Sequence, residues 1–176
     1  LPPVTRQRLG ILLGNALGPD KVETFKGHLQ ENQPVVFVGP YEHHSNEISW
    51  RENLATVVTV QLDQDGGIDL KHLAELLQNT ASQGRQRVGP FSAASNVTGI
   101  ISPVHEIAAL LHRHDAIACF DYAASAPYVQ IDMNPPAGKY EGDASLDAIF
   151  ISPHKFLGGP GSSGVLVFNE RLYHRE

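Results

Sequence analysis

Six short apolar runs rich in β-branched residues divide most of the chain, and their spacing constrains the fold more than any other feature. The runs are 34–40, 57–63, 87–95, 117–121, 148–152 and 164–168. The first, PVVFVGP, lies between proline and glycine-proline and has no polar alternation, which is typical of a strand buried on both faces. We therefore predict six strands.

Two segments between these runs carry signals for helices. In IDLKHLAELLQ, aliphatic side chains recur at helical spacing, at Ile68, Leu70, Leu73, Leu76 and Leu77. SPVHEIAALLHRH begins with Ser102 before Pro103 and has Glu106 nearby, which is a helix-start signal. Strands that alternate with helices predict an α/β fold, with a mainly parallel sheet covered by helices on both faces.

Length and composition are those of one domain. The 176 residues, of which 41% are hydrophobic, can bury a single substantial core. We expect an αβ core over residues 34–176, behind a polar lead of residues 1–33 with one short helix at most. The chain begins Leu1-Pro2-Pro3 without an initiating methionine, so we expect a fragment of a longer protein.

Charge and cysteine content argue against several classes of protein. A net charge of −6 gives no basic field for a phosphate backbone, so no nucleic-acid partner is expected. No apolar run approaches membrane-spanning length, so no membrane partner is expected either. The single cysteine, Cys119, excludes an internal disulfide and fits a cytoplasmic enzyme. Cys119 lies within an apolar run, and we expect it to be buried.

Polar residues follow several of the predicted strands. Ligands of open parallel sheets bind beyond the carboxyl ends of the strands, because the loops and helix starts gather there. The residues at these ends are His43, His44, Ser95, Asn96, Asp121, Ser152, His154 and Lys155. Four strand ends are therefore predicted to meet at one pocket.

Lys155 has two interpretations. A solvent-exposed lysine is the common case, whereas an amine held in a pocket can form a Schiff base with a carbonyl. Lys155 follows a predicted buried strand by a few residues and stands between His154 and the apolar pair Phe156 and Leu157. This context favours the pocket, where burial would stabilise the neutral, nucleophilic amine.

Asp121 and the histidine pair also have alternative interpretations. Asp121 ends an apolar run, where its carboxylate either caps the turn DYAAS or pairs with a protonated ring nitrogen. His43 and His44, with Glu42 and Glu47 close by, resemble part of a metal site. No third group of ligands has a convincing spacing, so no metal is predicted. An imidazole stacked on a flat cofactor accounts better for one histidine.

Gly159, Gly161 and Gly164 have the spacing of a dinucleotide-binding fingerprint. That fingerprint must follow a strand and open a helix, whereas these glycines precede the apolar run GVLVF. We therefore reject a nucleotide site and predict a tight turn close to a neighbouring group or subunit. A plain connection between two strands is the alternative.

Four stretches together resemble the class V group of fold type I pyridoxal phosphate enzymes, which includes cysteine desulfurases, selenocysteine lyases and kynureninase-like proteins. They are YEHHSNEISW, SAASNVTGI, FDYAASAPYVQIDM and SPHKFLGGPGSSGVLV. The resemblance implies the large-domain core of that fold, the cofactor pyridoxal 5′-phosphate, a small amino-acid substrate and a homodimer. The implied activity is that of a class V aminotransferase, a cysteine desulfurase or a selenocysteine lyase.

The resemblance also implies catalytic roles. Lys155 would hold the cofactor as a Schiff base and then move the proton at the substrate α-carbon. Asp121 would pair with the pyridinium nitrogen and keep the ring an electron sink. His43 would stack on the ring.

Further positions follow from the same resemblance, with some departures. Asn96 would lie near the ring hydroxyl or the substrate carboxylate, while Ser152 and His154 would donate to the cofactor phosphate. Many desulfurases have a ring-contacting glutamine where this sequence has Ala124, next to Ser125. The family's upstream phosphate loop, its small domain and its mobile cysteine are not in this sequence. A second hypothesis is therefore a non-catalytic relative that keeps the fold as a binding or regulatory module.

Overall fold

A computed structural model describes residues 3–79, 82 and 84–173, which form one six-stranded sheet with flanking helices. The strands are β1 (Val35–Val38), β2 (Thr56–Thr59), β3 (Arg87–Ser92), β4 (Ala116–Asp121), β5 (Ala148–Ile151) and β6 (Val165–Phe168). Each strand overlaps one of the six predicted runs, so the prediction of six strands is confirmed.

The described residues form five α-helices. They are α1 (Pro3–Leu17), α2 (Pro19–Asn32), α3 (His44–Arg51), α4 (Leu70–Gln78) and α5 (Val104–His112). Of these, α4 and α5 were predicted between the strands, and one short helix was expected in residues 1–33. The expectation of at most one short helix in residues 1–33 was wrong, because Pro19 starts α2 at a position where proline is tolerated. No helix in the described part of the chain is long and apolar enough to cross a membrane.

The sheet has the order β2-β1-β3-β4-β5-β6 and is parallel except for β6. The predicted, mainly parallel α/β fold is thus confirmed. The chain leaves β1 toward β2 on one side and returns to β3 on the other. This reversal leaves a crevice at the carboxyl ends of β1 and β3, which is where open α/β sheets bind their ligands.

A large apolar core lies between the sheet and helices α4 and α5. Its fully buried side chains include Phe37, Phe91, Phe120, Leu73, Ile107 and Leu111. A smaller cluster, which includes Val36, Val38 and Cys119, covers the opposite face, and Trp50 of α3 packs against this cluster. All four residues of β1 are buried, as predicted for a strand covered on both faces. Cys119 is also buried, and the loss of solvent raises the pKa of its thiol to about 12.

Strand β6 differs from the rest of the sheet in its exposure. It runs antiparallel to β5, with Val167 opposite Ile149 and Leu166 opposite Phe150. Its four apolar residues are 39% to 53% exposed. Among the described residues, no strand pairs with its outer edge. The sheet therefore ends in an uncovered apolar strand.

Candidate active site

A cavity of about 310 Å³ lies beyond the carboxyl ends of β1, β3, β4 and β5. The residues that line it are His43, Ser45, Ser92, Ala94, Asn96, Asp121, Ala123, Ala124, Ser152, His154 and Lys155. Its volume lies at the lower end of the usual range for small-molecule sites, about 300 to 1,000 Å³. The structure thus brings to one cavity all six residues to which cofactor roles were assigned, and those roles stay predictions. His44 and Ser95, which were also placed at the strand ends, are not in its lining.

Lys155 ends a single turn of 3-10 helix, Pro153–Lys155, which follows β5 directly. The backbone N–H of Lys155 donates to the Ser152 carbonyl at 2.9 Å, so the turn keeps Ser152 and Lys155 close. The expected burial of Lys155 was wrong, because its side chain is exposed. The neighbouring apolar pair, Phe156 and Leu157, is also exposed, and Leu157 fully so.

The glycines after Lys155 form the predicted tight turn. Gly158 and Gly161 have φ values of +77° and +86°, which residues with a side chain rarely adopt. A Cβ atom on Gly159 would overlap the carbonyl oxygen of Pro153, so the turn folds back closely onto the 3-10 helix. The turn leads into β6 and not into a helix, which supports the rejection of a nucleotide fingerprint.

Asp121 both caps a turn and lines the cavity. Its Oδ1 accepts a hydrogen bond from the backbone N–H of Ala123 at 2.8 Å. Within the described residues, Oδ2 accepts no hydrogen bond. The capping interpretation is therefore confirmed for Oδ1 of Asp121, and Oδ2 stays available for a ligand in the cavity.

His43 is the N-cap of α3, and the next residue, His44, lies outside the cavity lining. The Nδ1 atom of His43 accepts from the backbone N–H of Ser45 at 3.2 Å, and the Ser45 hydroxyl lies 2.8 Å from the same nitrogen. In residues 3–79, 82 and 84–173, no group of three or more His, Cys, Asp or Glu could hold a metal ion. The two histidines thus have different surroundings, and only His43 faces the site.

Glu42 is a partly buried acid for which the sequence suggested only a part in metal binding. Its Oε1 accepts from the backbone N–H groups of Gly39 (3.1 Å) and Ser92 (2.9 Å). Its Oε2 accepts from the Ser92 hydroxyl (2.7 Å) and from Asn46 Nδ2 (2.8 Å). Burial raises the pKa of Glu42, although all four of these hydrogen bonds oppose the change. The sequence signal for this network was a carboxylate a few residues after a buried strand.

Asn46 extends the same network from α3. Its Nδ2 also donates to the Pro90 carbonyl at 3.0 Å, and its Oδ1 accepts from Trp50 Nε1 at 3.1 Å. Trp50 and Phe150 line a second cavity of about 350 Å³ that shares Asp121 with the first. The helix carrying Ser45 is thus fixed to β3 by polar contacts on one side and by Trp50 on the other.

Ala124, which stands where many desulfurases have a glutamine, and its neighbour Ser125 lie in different surroundings. Ala124 lines the first cavity, whereas Ser125 is 7% exposed and is not part of the lining. The Ser125 hydroxyl is buried and has no hydrogen-bond partner among the residues that the structure describes. Ser125 therefore does not provide the contact that the glutamine would make.

A second polar cluster lies at the other end of β5, away from the cavity. Asp147 Oδ2 accepts from the Ala118 N–H at 2.8 Å and lies 2.8 Å from His112 Nε2. Arg171 Nε donates to Asp147 Oδ1, and Arg171 NH1 forms a 2.8 Å ion pair with Asp143. The cluster fixes the segment after β6 to α5 and to the start of β5.

Similarity to known proteins decides the family. The profile described as aminotransferase class-V matches residues 22–175. The chain belongs to the class V aminotransferase family. That family and the cysteine desulfurases depend on pyridoxal 5′-phosphate, so the cofactor expected from the sequence is confirmed at the level of the family.

The class V relatives include cysteine desulfurases. The chain is 35% identical over 145 residues to a probable cysteine desulfurase of Halalkalibacterium halodurans, covering 80% of the chain and 32% of that protein. It is 42% identical over 142 residues to a probable cysteine desulfurase of Chlamydia muridarum, covering 78% of the chain and 32% of that protein. A solved structure of the Escherichia coli cysteine desulfurase CsdA superposes with a TM-score of 0.65 and 26% identity, over 82% of the chain and 34% of that protein. The chain thus spans about a third of the length of these relatives.

The cavity has the chemistry that pyridoxal 5′-phosphate requires. One amine, one carboxylate, two imidazoles, three hydroxyls and one amide line it, and these groups match an aldehyde, a ring nitrogen and a phosphate. Part of its wall carries only small side chains, those of Ala94, Ala123 and Ala124, which leaves space for a flat ring. The residues present therefore fit the class V cofactor.

Proposed function

We propose that this chain is the cofactor-binding part of a pyridoxal phosphate enzyme that acts on a small amino acid, with cysteine desulfurase or selenocysteine lyase activity in the whole protein. The observation that carries the proposal is the meeting of Lys155, Asp121 and His43 at one cavity. The relatives named as cysteine desulfurases make cysteine the first substrate to test. Transamination by a class V aminotransferase is the other activity of the same group.

Lys155 and Asp121 would act directly on the cofactor and on the reacting atoms of the substrate. Lys155 Nζ would hold the cofactor covalently and later carry the proton of the substrate α-carbon. When bound, the cofactor supplies an electron sink for the charge left at that carbon. The free Oδ2 of Asp121 would pair with the protonated ring nitrogen, while Oδ1 stays on the Ala123 N–H and keeps the carboxylate in place.

The remaining residues of the lining would orient the cofactor and the substrate. Ser152 and His154 would donate to the phosphate, and they lie beside Lys155 at the end of β5. Asn96, which is exposed in the loop after β3, would reach the ring hydroxyl or the substrate carboxylate. His43 would lie against the ring face.

We also propose that the whole protein is a cytoplasmic homodimer. Cys119 is a single free cysteine, in accord with a reducing compartment. Two large apolar side chains are strongly exposed, Val97 at 85%, which follows Asn96 of the lining, and Tyr128 at 82%. A second copy that covered them would remove this apolar surface from water.

The test is to fix the cofactor chemically on its lysine. The whole protein is incubated with pyridoxal phosphate, its absorbance spectrum is recorded, and borohydride reduction is followed by peptide mapping. We expect the label on Lys155, no label in Lys155→Ala, and full labelling in the matched control Lys71→Ala, whose lysine is exposed on α4. A label on a different lysine, or no absorbance band, would refute the proposal.

The non-catalytic module is a second candidate, because Ala124 lines the cavity where desulfurases have a glutamine and Ser125 does not replace it. A binding or regulatory module would take up the cofactor but not process amino acids. Adding cysteine, selenocysteine or alanine to the loaded protein separates the two candidates. A substrate-dependent change in the cofactor spectrum supports the enzyme, and an unchanged spectrum supports the module.

A further inference from the structure

His43 occupies a position in α3 that histidine rarely fills. N-cap residues are most often Asn, Asp, Ser or Thr, whose side-chain oxygen accepts a backbone N–H of the first turn. Here the imidazole does this, since Nδ1 accepts from the Ser45 N–H at 3.2 Å. A backbone N–H can only donate, so the Nδ1 atom of His43 presents a lone pair and carries no proton.

The Ser45 side chain contacts the same His43 nitrogen as the Ser45 backbone N–H. Its hydroxyl oxygen lies 2.8 Å from Nδ1 of His43. A hydroxyl can donate or accept, but a nitrogen that already accepts the Ser45 N–H must accept this second hydrogen as well. Two donors from one residue therefore converge on one ring nitrogen.

The other ring nitrogen of His43 is left to the cavity. Nε2 has no hydrogen-bond partner among the described residues, and His43 belongs to the cavity lining. A neutral imidazole carries its proton on one nitrogen only, so a ring with an accepting Nδ1 has its proton on Nε2. The geometry of the helix start thus determines what His43 offers to a ligand.

We propose that Ser45 is a positioning residue that holds His43 in the neutral tautomer with the proton on Nε2. His43 then presents a hydrogen-bond donor to the cavity. The Nε2–H group favours a cofactor or substrate atom with an available lone pair, such as an oxygen or a sulfur. It disfavours an atom that must itself donate a hydrogen bond. The inference rests on the proposed function for its consequence in catalysis, but the tautomer is a property of the protein alone.

The rest of the helix start reinforces this arrangement. Protonation of Nδ1 would direct an N–H against the Ser45 N–H, and only the Ser45 hydroxyl could turn to accept it. On either side of His43 and Ser45, Glu42 and Asn46 are joined by a 2.8 Å hydrogen bond, which fixes the path of this turn. The cap, the tautomer and the position of α3 are therefore coupled.

The test reads the tautomer directly by ¹⁵N NMR of the cofactor-free protein. The His43 signals are assigned by their loss in His43→Asn, which keeps an N-cap acceptor. We expect a pyridine-type Nδ1 and a pyrrole-type Nε2 in the unmodified protein. A pyrrole-type Nδ1 would overturn this proposal, whatever the outcome for the proposed function.

Variants separate positioning from a general loss of structure. Ser45→Ala removes the hydroxyl and keeps the backbone N–H, so one of the two donors to Nδ1 is lost and the Nδ1 signal should move part of the way toward that of free histidine. Ser45→Thr should restore it. The matched control is Ser49→Ala, because Ser49 is an exposed serine of the same helix whose hydroxyl donates to the Asn46 carbonyl at 2.8 Å. It should leave the His43 signals unchanged. Equal spectra for Ser45→Ala and Ser49→Ala would also overturn the proposal.

A kinetic measurement connects the tautomer to the site. With cofactor bound, Ser45→Ala should keep its borohydride label on Lys155 and react with cysteine roughly fivefold more slowly, the order of one lost neutral hydrogen bond. An unchanged rate would overturn the positioning role. Absence of the Lys155 label in the unmodified protein would refute the proposed function and leave the NMR result standing, so the two failures are distinguishable.

Discussion

Glu42 and Ser92 are joined by two hydrogen bonds, from the Ser92 N–H to Oε1 at 2.9 Å and from the Ser92 hydroxyl to Oε2 at 2.7 Å. Fifty residues separate them in the chain. Glu42 directly precedes His43, and Ser92 ends β3 at the floor of the cavity. One partly buried carboxylate therefore links the two strand ends that form the crevice.

Replacing this carboxylate with an amide should destabilise the protein. In Glu42→Gln, an NH₂ group replaces one carboxylate oxygen and faces groups that donated hydrogen bonds to that oxygen. Leaving a buried donor unpaired costs about 1 to 3 kcal/mol. We expect the free energy of unfolding to fall by about 2 kcal/mol in urea titrations.

The matched control for Glu42→Gln is Glu47→Gln in α3. Glu47 pairs with Arg51 at 2.7 Å, and both side chains are partly exposed. The same chemical change should there cost only about 0.3 to 0.5 kcal/mol, as for other helical ion pairs. Equal unfolding free energies for the two variants would contradict the assigned role of Glu42.

The cluster around Asp147 predicts how stability depends on pH. Burial alone would raise the pKa of Asp147, but hydrogen bonds from His112, the Ala118 N–H and Arg171 lower it below 3.8. Burial alone would lower the pKa of His112, but its hydrogen bonds to Asp147 and to the Asp143 carbonyl raise it above 6.5.

The two shifts act at opposite ends of the pH range. A lowered carboxyl pKa gives stability that is present above 3.8 and is lost as the pH falls through the folded-state value. A raised histidine pKa gives stability that is full below 6.5 and is lost as the pH rises through the folded-state value. We expect these groups to contribute most between these limits, and His112→Gln to remove the decline on the alkaline side. Unfolding curves across this range provide the measurement, and an unchanged alkaline decline in the variant would contradict the assignment.

Gly159→Ala should disturb the site through the backbone. The added Cβ would overlap the Pro153 carbonyl, so the turn and Lys155 with it must shift. Overpacking of this kind costs about 1 to 3 kcal/mol, and we expect a clear loss of borohydride labelling on Lys155. Gly164→Ala is the control, because its Cβ would meet its nearest atom, the Ile151 carbonyl, at an ordinary 3.8 Å. The steric argument fails if both variants label equally well.

Asp121→Asn isolates the charge of Asp121 from its capping role. The amide oxygen can still accept from the Ala123 N–H, so the turn should persist. We expect cofactor labelling on Lys155 to remain and the reaction with amino acid to slow by about 100-fold, on the scale of a removed electrostatic contact in an active site. Stopped-flow spectra of the loaded protein measure this rate. A variant as fast as the unmodified protein would remove Asp121 from the mechanism.

The strands were predictable because runs such as VVFV carry a local signal for a strand, although the similar run VLVF of β6 is exposed. The location of the site was predictable because parallel strands bring their carboxyl ends together. Asn96 and Lys155 could therefore be placed at one cavity although they are distant in the chain. The turn after Lys155 was predictable too, since glycine is needed where φ is positive.

The features that were not predicted depend on contacts between residues that are distant in the chain or on side-chain orientations, and the sequence alone does not show these. Helix α3 is polar and short, and its start depends on an imidazole cap that no rule for N-caps favours. The role of Glu42 depends on Ser92, whose N–H becomes a neighbour only after β1 and β3 pair. The exposure of Lys155 was missed because Phe156 and Leu157 turn outward.

Strand β6 has a consequence for the solution behaviour of this chain. An uncovered apolar strand at the margin of a sheet can template the addition of another strand, so two copies can extend each other's sheets end to end. We expect light scattering from the isolated chain to rise with concentration, and Leu166→Lys to suppress it, since a lysine on an outermost strand opposes such growth. Preparations of this chain would then be limited by colloidal stability before they are limited by unfolding.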